Sequence, residues 1–174
     1  TKGCGLGKTS PYERCLPHAQ ECAQIIEQFG FTSYAATRLL NQTGTYLYMH
    51  ARYAEAEAFF QHSLRLREEV LGPDHLDVAH PLNNLAILYW NQGKYTEAES
   101  MYQRALHIKE LTLGADHPDV AFTLNNLGIL YSDQGKYTEA ESMYQRALRI
   151  KELTLGPNHL QVAHSLHNLA NLYK

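Results

Sequence analysis

Apolar residues return at spacings of three and four along most of this chain, and polar punctuation interrupts them at regular intervals. Val78, Leu82, Leu85, Ala86 and Tyr89 trace one face of a helix,. Asn91-Gln92-Gly93 breaks it. Tyr95, Ala98, Tyr102, Ala105 and Lys109 then define a second stripe, widened by Met101, Leu106 and Ile108. Gly114 is expected to end that helix in the left-handed conformation of a C-cap, with Asp116 capping the next helix and Pro118 tolerated in its first turn. Gly72-Pro73-Asp74-His75 and Gly156-Pro157-Asn158-His159 repeat the punctuation. Helices are predicted over 12–29, 35–50, 53–70, 75–91, 95–112, 117–133, 137–154 and 159–173,.

The pattern has a period of 42 residues. Residues 83–124 and 125–166 align without a gap and differ at only ten positions, so they are copies of one unit. A looser copy occupies 41–82, residues 167–174 begin another, and 12–40 hold a degenerate half-unit with the start of the first full one, after a tail at 1–11. A fixed period of this size predicts a solenoid, in which each unit buries its apolar face against its neighbours. Alanines at 86, 98 and 105 allow two antiparallel helices to approach closely, and Tyr89, Tyr95 and Tyr102 fill the space beside those contacts,.

These residues carry a resemblance. Leu85, Ala86, Tyr89, Ala98, Tyr102 and Ala105 fall at the signature spacings of the tetratricopeptide repeat, and Leu127, Gly128, Tyr131, Ala140, Tyr144 and Ala147 repeat them. The long period resembles the variant found in kinesin light chains and nephrocystin-3, and the arrays that follow the nucleotide-binding module of many bacterial signalling ATPases. The first unit departs from the pattern, with Gly44 at the small position, Leu47 in place of the tyrosine and Ser63 in place of the last alanine. The resemblance implies an all-α, right-handed superhelical solenoid of antiparallel helix pairs, about 3.5 repeats in eight helices. It also implies a non-catalytic scaffold for peptides or proteins within a larger protein.

A hydrophobic content of 44% and a charged content of 19% suit a folded chain, and a net charge of −3 gives no electrostatic reason to expect nucleic acid or an anionic membrane,. No stretch approaches a membrane span and no signal peptide is visible, so a cytoplasmic fragment is expected. Cys4, Cys15 and Cys22 are odd in number. Cys15 and Cys22 would lie two turns apart on one helix, about 10 Å of rise, which favours reduced thiols,.

Candidate chemistry is weak. Gly3-Cys4-Gly5-Leu6-Gly7-Lys8-Thr9 ends like a phosphate-binding loop, but Lys2 stands where its first glycine belongs and no strand precedes it,. His75, His117 and His159 share one repeat phase, which a role at helix starts explains. His164 and His167 share a helix face without an evident third ligand. No enzyme activity, metal or cofactor is expected.

A second stripe beside the core stripe stands out. It comprises Arg38, Asn41, Thr45 and Tyr48, then His80, Asn83, Ile87 and Trp90 with Asn84 and Asn91 at the edge. Phe122, Asn125, Asn126, Ile129 and Asp133 follow, and then His167. In the family resembled, the first helix of each pair lines the concave surface, which implies a peptide-binding groove along this stripe. Asn83 and Asn125 are expected to bond a ligand backbone, and Trp90 and Phe122 to contact its side chains, with Trp90 mattering little for folding. Of the ten differences between the two close copies, only His107/Arg149 lies between Tyr95 and Gly114; the rest fall in the first helix and its preceding loop. The packing helix is constant while the exposed one varies. A structural spacer or oligomerisation array is the alternative, with end-to-end self-association through the open face of the last helix, and a fragment of a nucleotide-dependent signalling ATPase without its catalytic domain is a remoter one.

Overall fold

The computed structural model describes residues 11–30 and 33–173, and the described secondary structure is helical throughout. The helices are α1 (Pro11–Phe29), α2 (Tyr34–Met49), α3 (Tyr53–Leu71), α4 (Ala79–Asn91), α5 (Tyr95–Leu113), α6 (Pro118–Asp133), α7 (Tyr137–Leu155) and α8 (Leu160–Leu172). The glycine-rich stretch Gly3–Thr9 and Cys4 lie outside the described residues, as does the side chain of Cys15; Cys22 is a free, exposed thiol. Among the described residues no helix is long and apolar enough to cross a membrane.

The chain divides into two compact units, one ending at Leu66 and one starting at Arg67. In the first, Ile26, Ala36, Leu40 and Leu66 form the core, with Phe59 packed against it. Gly44 lies against the ring of Phe60, where an added Cβ would stand 2.7 Å from two ring carbons. Ser63, the exception to the alanine rule, is buried and donates to Thr37 O at 3.0 Å. Its hydroxyl is therefore satisfied by the neighbouring helix, which makes the substitution tolerable inside the core.

In the second unit, successive helices pack on one another from α4 to α8, and α6 also meets α8. The main core joins Ala86, Ala98, Tyr102, Leu127, Leu130, Tyr131, Ala140 and Tyr144. Ion pairs repeat with the unit: Arg104 meets Glu68 and Arg146 meets Glu110, at 2.5 and 2.6 Å. The same arginines donate to the carbonyls of Pro73 and Ala115 in the loops between pairs.

Three local readings of the sequence change. The helix expected from residue 75 begins as a separate 3₁₀ turn, Leu76–Val78, because Pro81 has no N–H for the carbonyl of Asp77,. The Arg67 guanidinium donates to that carbonyl instead. The cap before α6 is His117, not Asp116: its Nδ1 accepts from Asp119 N at 3.1 Å, and His75 and His159 do the same for Asp77 and Gln161. Finally, Gly114 and Gly156 have φ of 91° and 85° with ψ near 155°, an extended left-hand region open only to glycine, rather than the compact left-handed helix region,.

α8 keeps one face open. Leu166 is 49% exposed and Tyr173 68%, whereas Leu124 and Tyr131, one period earlier, are 0% and 8% exposed. Backbone amides of α8 should accordingly exchange with deuterium faster than those of α6 in the monomeric chain. Equal protection of the two helices would contradict this.

Candidate functional site

The stripe residues on α4, α6 and α8 come together because these first helices of each pair lie side by side. Trp90 Nε1 donates to Asp133 Oδ2 at 2.8 Å, tying α4 to α6. Asn168 Nδ2 donates to Asn125 Oδ1 at 2.8 Å, tying α6 to α8. The trait behind both bonds is spacing: each links residues 43 apart, one period plus one.

The residues on this face differ in what they offer. Phe122 is 55% exposed. Its ring lies 5.7 Å from Lys109 Nζ. His80, Asn91, Asp133 and His167 are exposed, and Asn84, Asn125 and Asn126 half-buried. Asn91 Nδ2 donates to Ile87 O and Asn171 Nδ2 lies 3.1 Å from His167 Nε2. Ile87, Ile129 and Trp90 are half-buried and pack against the main core. Trp90 therefore supports the fold as well as the face, contrary to the expectation that it matters little for folding.

Asn83 also departs from expectation. It is only 6% exposed, its Nδ2 donates to Ala79 O at 2.8 Å, and its Oδ1 has no partner. Its amide N–H groups are turned into its own helix, so it is poorly placed to bond a ligand backbone. In the first unit, Arg38 is exposed and Asn41 half-buried. Thr45 Oγ1 donates to Asn41 O at 2.9 Å, and half-buried Tyr48 packs near Tyr53 with centroids 5.8 Å apart.

Beneath the face lie two buried lysines, of which the sequence pattern placed Lys109 in the packing stripe without a role. Lys109 donates to Thr123 Oγ1 at 2.9 Å and Asp119 O at 3.3 Å; Lys151 donates to Ser165 Oγ at 2.9 Å. Burial pushes both lysines below their usual pKa, and for Lys109 the nearby Asp119 partly offsets this,. His80, exposed as a residue but with its ring partly withdrawn from solvent, is lowered too, first by that desolvation and then by Arg67 and Lys109. Their signal in the sequence was a charged residue at a core phase of the second helix.

Lys109→Met should raise stability at neutral pH by about 1 kcal/mol, since it keeps the stem and removes a buried charge without a contacting carboxylate. A depressed lysine pKa means the unfolded chain binds more protons, so wild-type stability rises with pH between the folded and unfolded values. The advantage of the variant should be full at neutral pH and close as pH rises past that window. Urea titrations of both proteins across alkaline pH test this, and a variant less stable than wild type at pH 7 would refute it.

Among the described residues no group of three or more His, Cys, Asp or Glu is placed to hold a metal. A cleft of about 510 Å³ opens between α6 and α8, bordered by Phe122, Asn125, Lys151, His164, His167 and Asn168.

Paired antiparallel helices, stacked with a fixed period and small residues at the close contacts, define an all-α repeat solenoid. The sequence profile of the tetratricopeptide repeat matches residues 34–110, 77–153 and 131–174, and the chain belongs to that family. Similar solved structures include BtubC (BKLC) from P. vanneervenii, with a TM-score of 0.73 at 18% identity over 95% of this chain and 84% of that one. A Podosopora anserina protein described as a kinesin light chain with nearly identical TPR-like repeats has a TM-score of 0.70 at 20% identity, over 92% and 81%. A variant form of that protein reaches 0.78 at 18%, over 92% and 76%. At such identities the likeness concerns the fold, here that of kinesin light chain-type repeats. No curated protein matches the chain.

Proposed function

We propose that this chain is a non-catalytic, cytoplasmic binding scaffold that holds a peptide segment of another protein along the face of α4, α6 and α8. The observation that carries the reading is the exposed Phe122 beside a cleft rich in amide and imidazole groups, on the variable helix of an otherwise constant repeat. Apolar contact with polar groups alongside is what a peptide needs for affinity and register. The family supports a protein-interaction role in general. We take the 42-residue units as its modules, with Arg38 and Tyr48 of the first unit offering similar chemistry.

The test is selection from a random peptide library displayed against the whole chain, followed by affinity measurements on the selected peptides. Phe122→Ala should weaken binding by about 2 kcal/mol, as loss of an aromatic anchor does, without lowering the melting temperature. Trp90→Ala should weaken binding and stability together. Unchanged affinity for Phe122→Ala would overturn the assignment of this face. The open face of α8 favours a second reading, end-to-end self-association of the array; sedimentation that depends on protein concentration, abolished by Leu166→Glu, would support it.

A further inference from the structure

Along the second unit an arginine ties each second helix to the one before it. Arg104 on α5 meets Glu68 and the carbonyl of Pro73, and Arg146 on α7 meets Glu110 and the carbonyl of Ala115. One period before Arg104 stands His62, and one period before Glu68 stands Ile26, which belongs to the core of the first unit. Neither half of that clamp is therefore present between α1 and α3, and a cleft of about 790 Å³ opens there. The ion pair that spans these helices is displaced outward: Arg65 Nη2 meets Glu27 Oε1 at 3.2 Å, with the side chains 54% and 64% exposed. A contact so open to water contributes little, and it engages one oxygen of the Glu27 carboxylate.

The α1 wall of the cleft is rich in acceptors. Gln20, Gln24 and Glu27 recur at spacings of four and three, so they share one face of that helix,. Gln20 commits its Nε2 to Glu55 at 3.2 Å, which leaves its amide oxygen as the group it offers. Ala23 and Phe59, both packed on the core, supply apolar surface beside these groups.

We propose that the cleft between α1 and α3 is a guanidinium seat, which receives an arginine side chain of a partner protein. The chain itself shows the chemistry, since its own Arg104 and Arg146 occupy the phase that His62 leaves short. A guanidinium carries five N–H donors in one plane and no acceptor, on an apolar stem. Its stem can lie on Phe59 and Ala23 while its fork donates to Glu27 and the Gln20 amide oxygen. Lysine suits the seat less, because a compact ammonium does not present a planar fork to two acceptors. The seat uses none of the residues of the α4, α6 and α8 face, so the two assignments stand or fall separately.

The probe is N-acetyl-arginine amide, titrated into the whole chain and followed by backbone amide chemical shifts. Millimolar binding should move signals of α1 and α3 and leave those of α6 and α8 in place. The capped citrulline, alike in shape but neutral, should bind roughly tenfold more weakly, and capped lysine several-fold more weakly. Glu27→Gln changes an exposed side chain, so it should keep the fold and weaken the probe roughly tenfold. Arg65→Gln removes the internal competitor for Glu27 and should tighten binding, a gain that a purely structural role would not produce. His62→Arg restores the residue of the later repeats and should abolish binding without lowering the melting temperature. Free arginine brings a carboxylate of its own towards Glu27 and should bind more weakly than the capped form; the reverse order would overturn a protein partner. Equal affinity for arginine and citrulline, indifference to Glu27→Gln, or an absence of shifts in α1 and α3 would overturn the seat itself.

Discussion

Truncating Tyr102 to alanine is expected to destabilise the second unit by roughly 3–5 kcal/mol, the range for a buried aromatic. The ring is 1% exposed and sits where α4, α5 and α6 meet, among Ala86, Ala98, Leu127 and Leu130. Two of those neighbours are alanines whose short side chains cannot reach into the void, and the paired backbones on either side are held by their own helices. The cavity therefore stays largely open, which is the condition under which truncation costs most. Urea unfolding followed by circular dichroism reads the effect as a fall in midpoint. A loss below about 1 kcal/mol would show that the helix pair closes over the gap.

Gly128→Leu should be comparably damaging, by roughly 3 kcal/mol, at the upper end for overpacking. A Cβ at this position would stand 2.5 Å from Cε1 and 2.7 Å from Cδ1 of Tyr144. The neighbouring repeat shows what the site tolerates, because Ala86 occupies the same phase opposite Tyr102, on a packing helix that differs only at His107/Arg149. Gly128→Ala should then cost under about 1 kcal/mol after a small shift of the ring. Leucine adds a branched end with no space to enter, so α6 and α7 must part. Melting curves of both variants separate these outcomes: equal losses for Ala and Leu would mean the glycine matters for its backbone, not for the approach of the ring.

The helices were legible because burial here is periodic. Ala98, Tyr102 and Ala105 mark a buried face that only a helix can present, and small residues opposite tyrosines imply a paired helix, although Tyr95, expected on the same stripe, is 38% exposed at the helix start. The deviations arise where one atom decides the geometry. Pro81 costs a single N–H and splits off a 3₁₀ turn, and an imidazole nitrogen takes the capping role that a carboxylate one residue earlier was expected to fill. The face was legible as a stripe, but its internal bonding was not. Asn83 and Asn125 occupy one phase, yet the first is closed onto its own helix while the second accepts from Asn168. Bonds that span 43 residues depend on the lateral setting of neighbouring helices, which a one-dimensional pattern does not contain.

The contacts between helix pairs recur in phase: Glu68 and Glu110 receive Arg104 and Arg146, and the carbonyls of Pro73 and Ala115 receive the same two arginines. Both of these donors find their acceptors in the pair before them, whatever their place in the series. A gene that slips by one 42-residue unit during recombination therefore deletes or adds a module without orphaning a single one of these groups. The near identity of 83–124 and 125–166 is what such an event leaves behind. Array length is thus a heritable variable that can change in one step, and with it the length of the face that the first helices present.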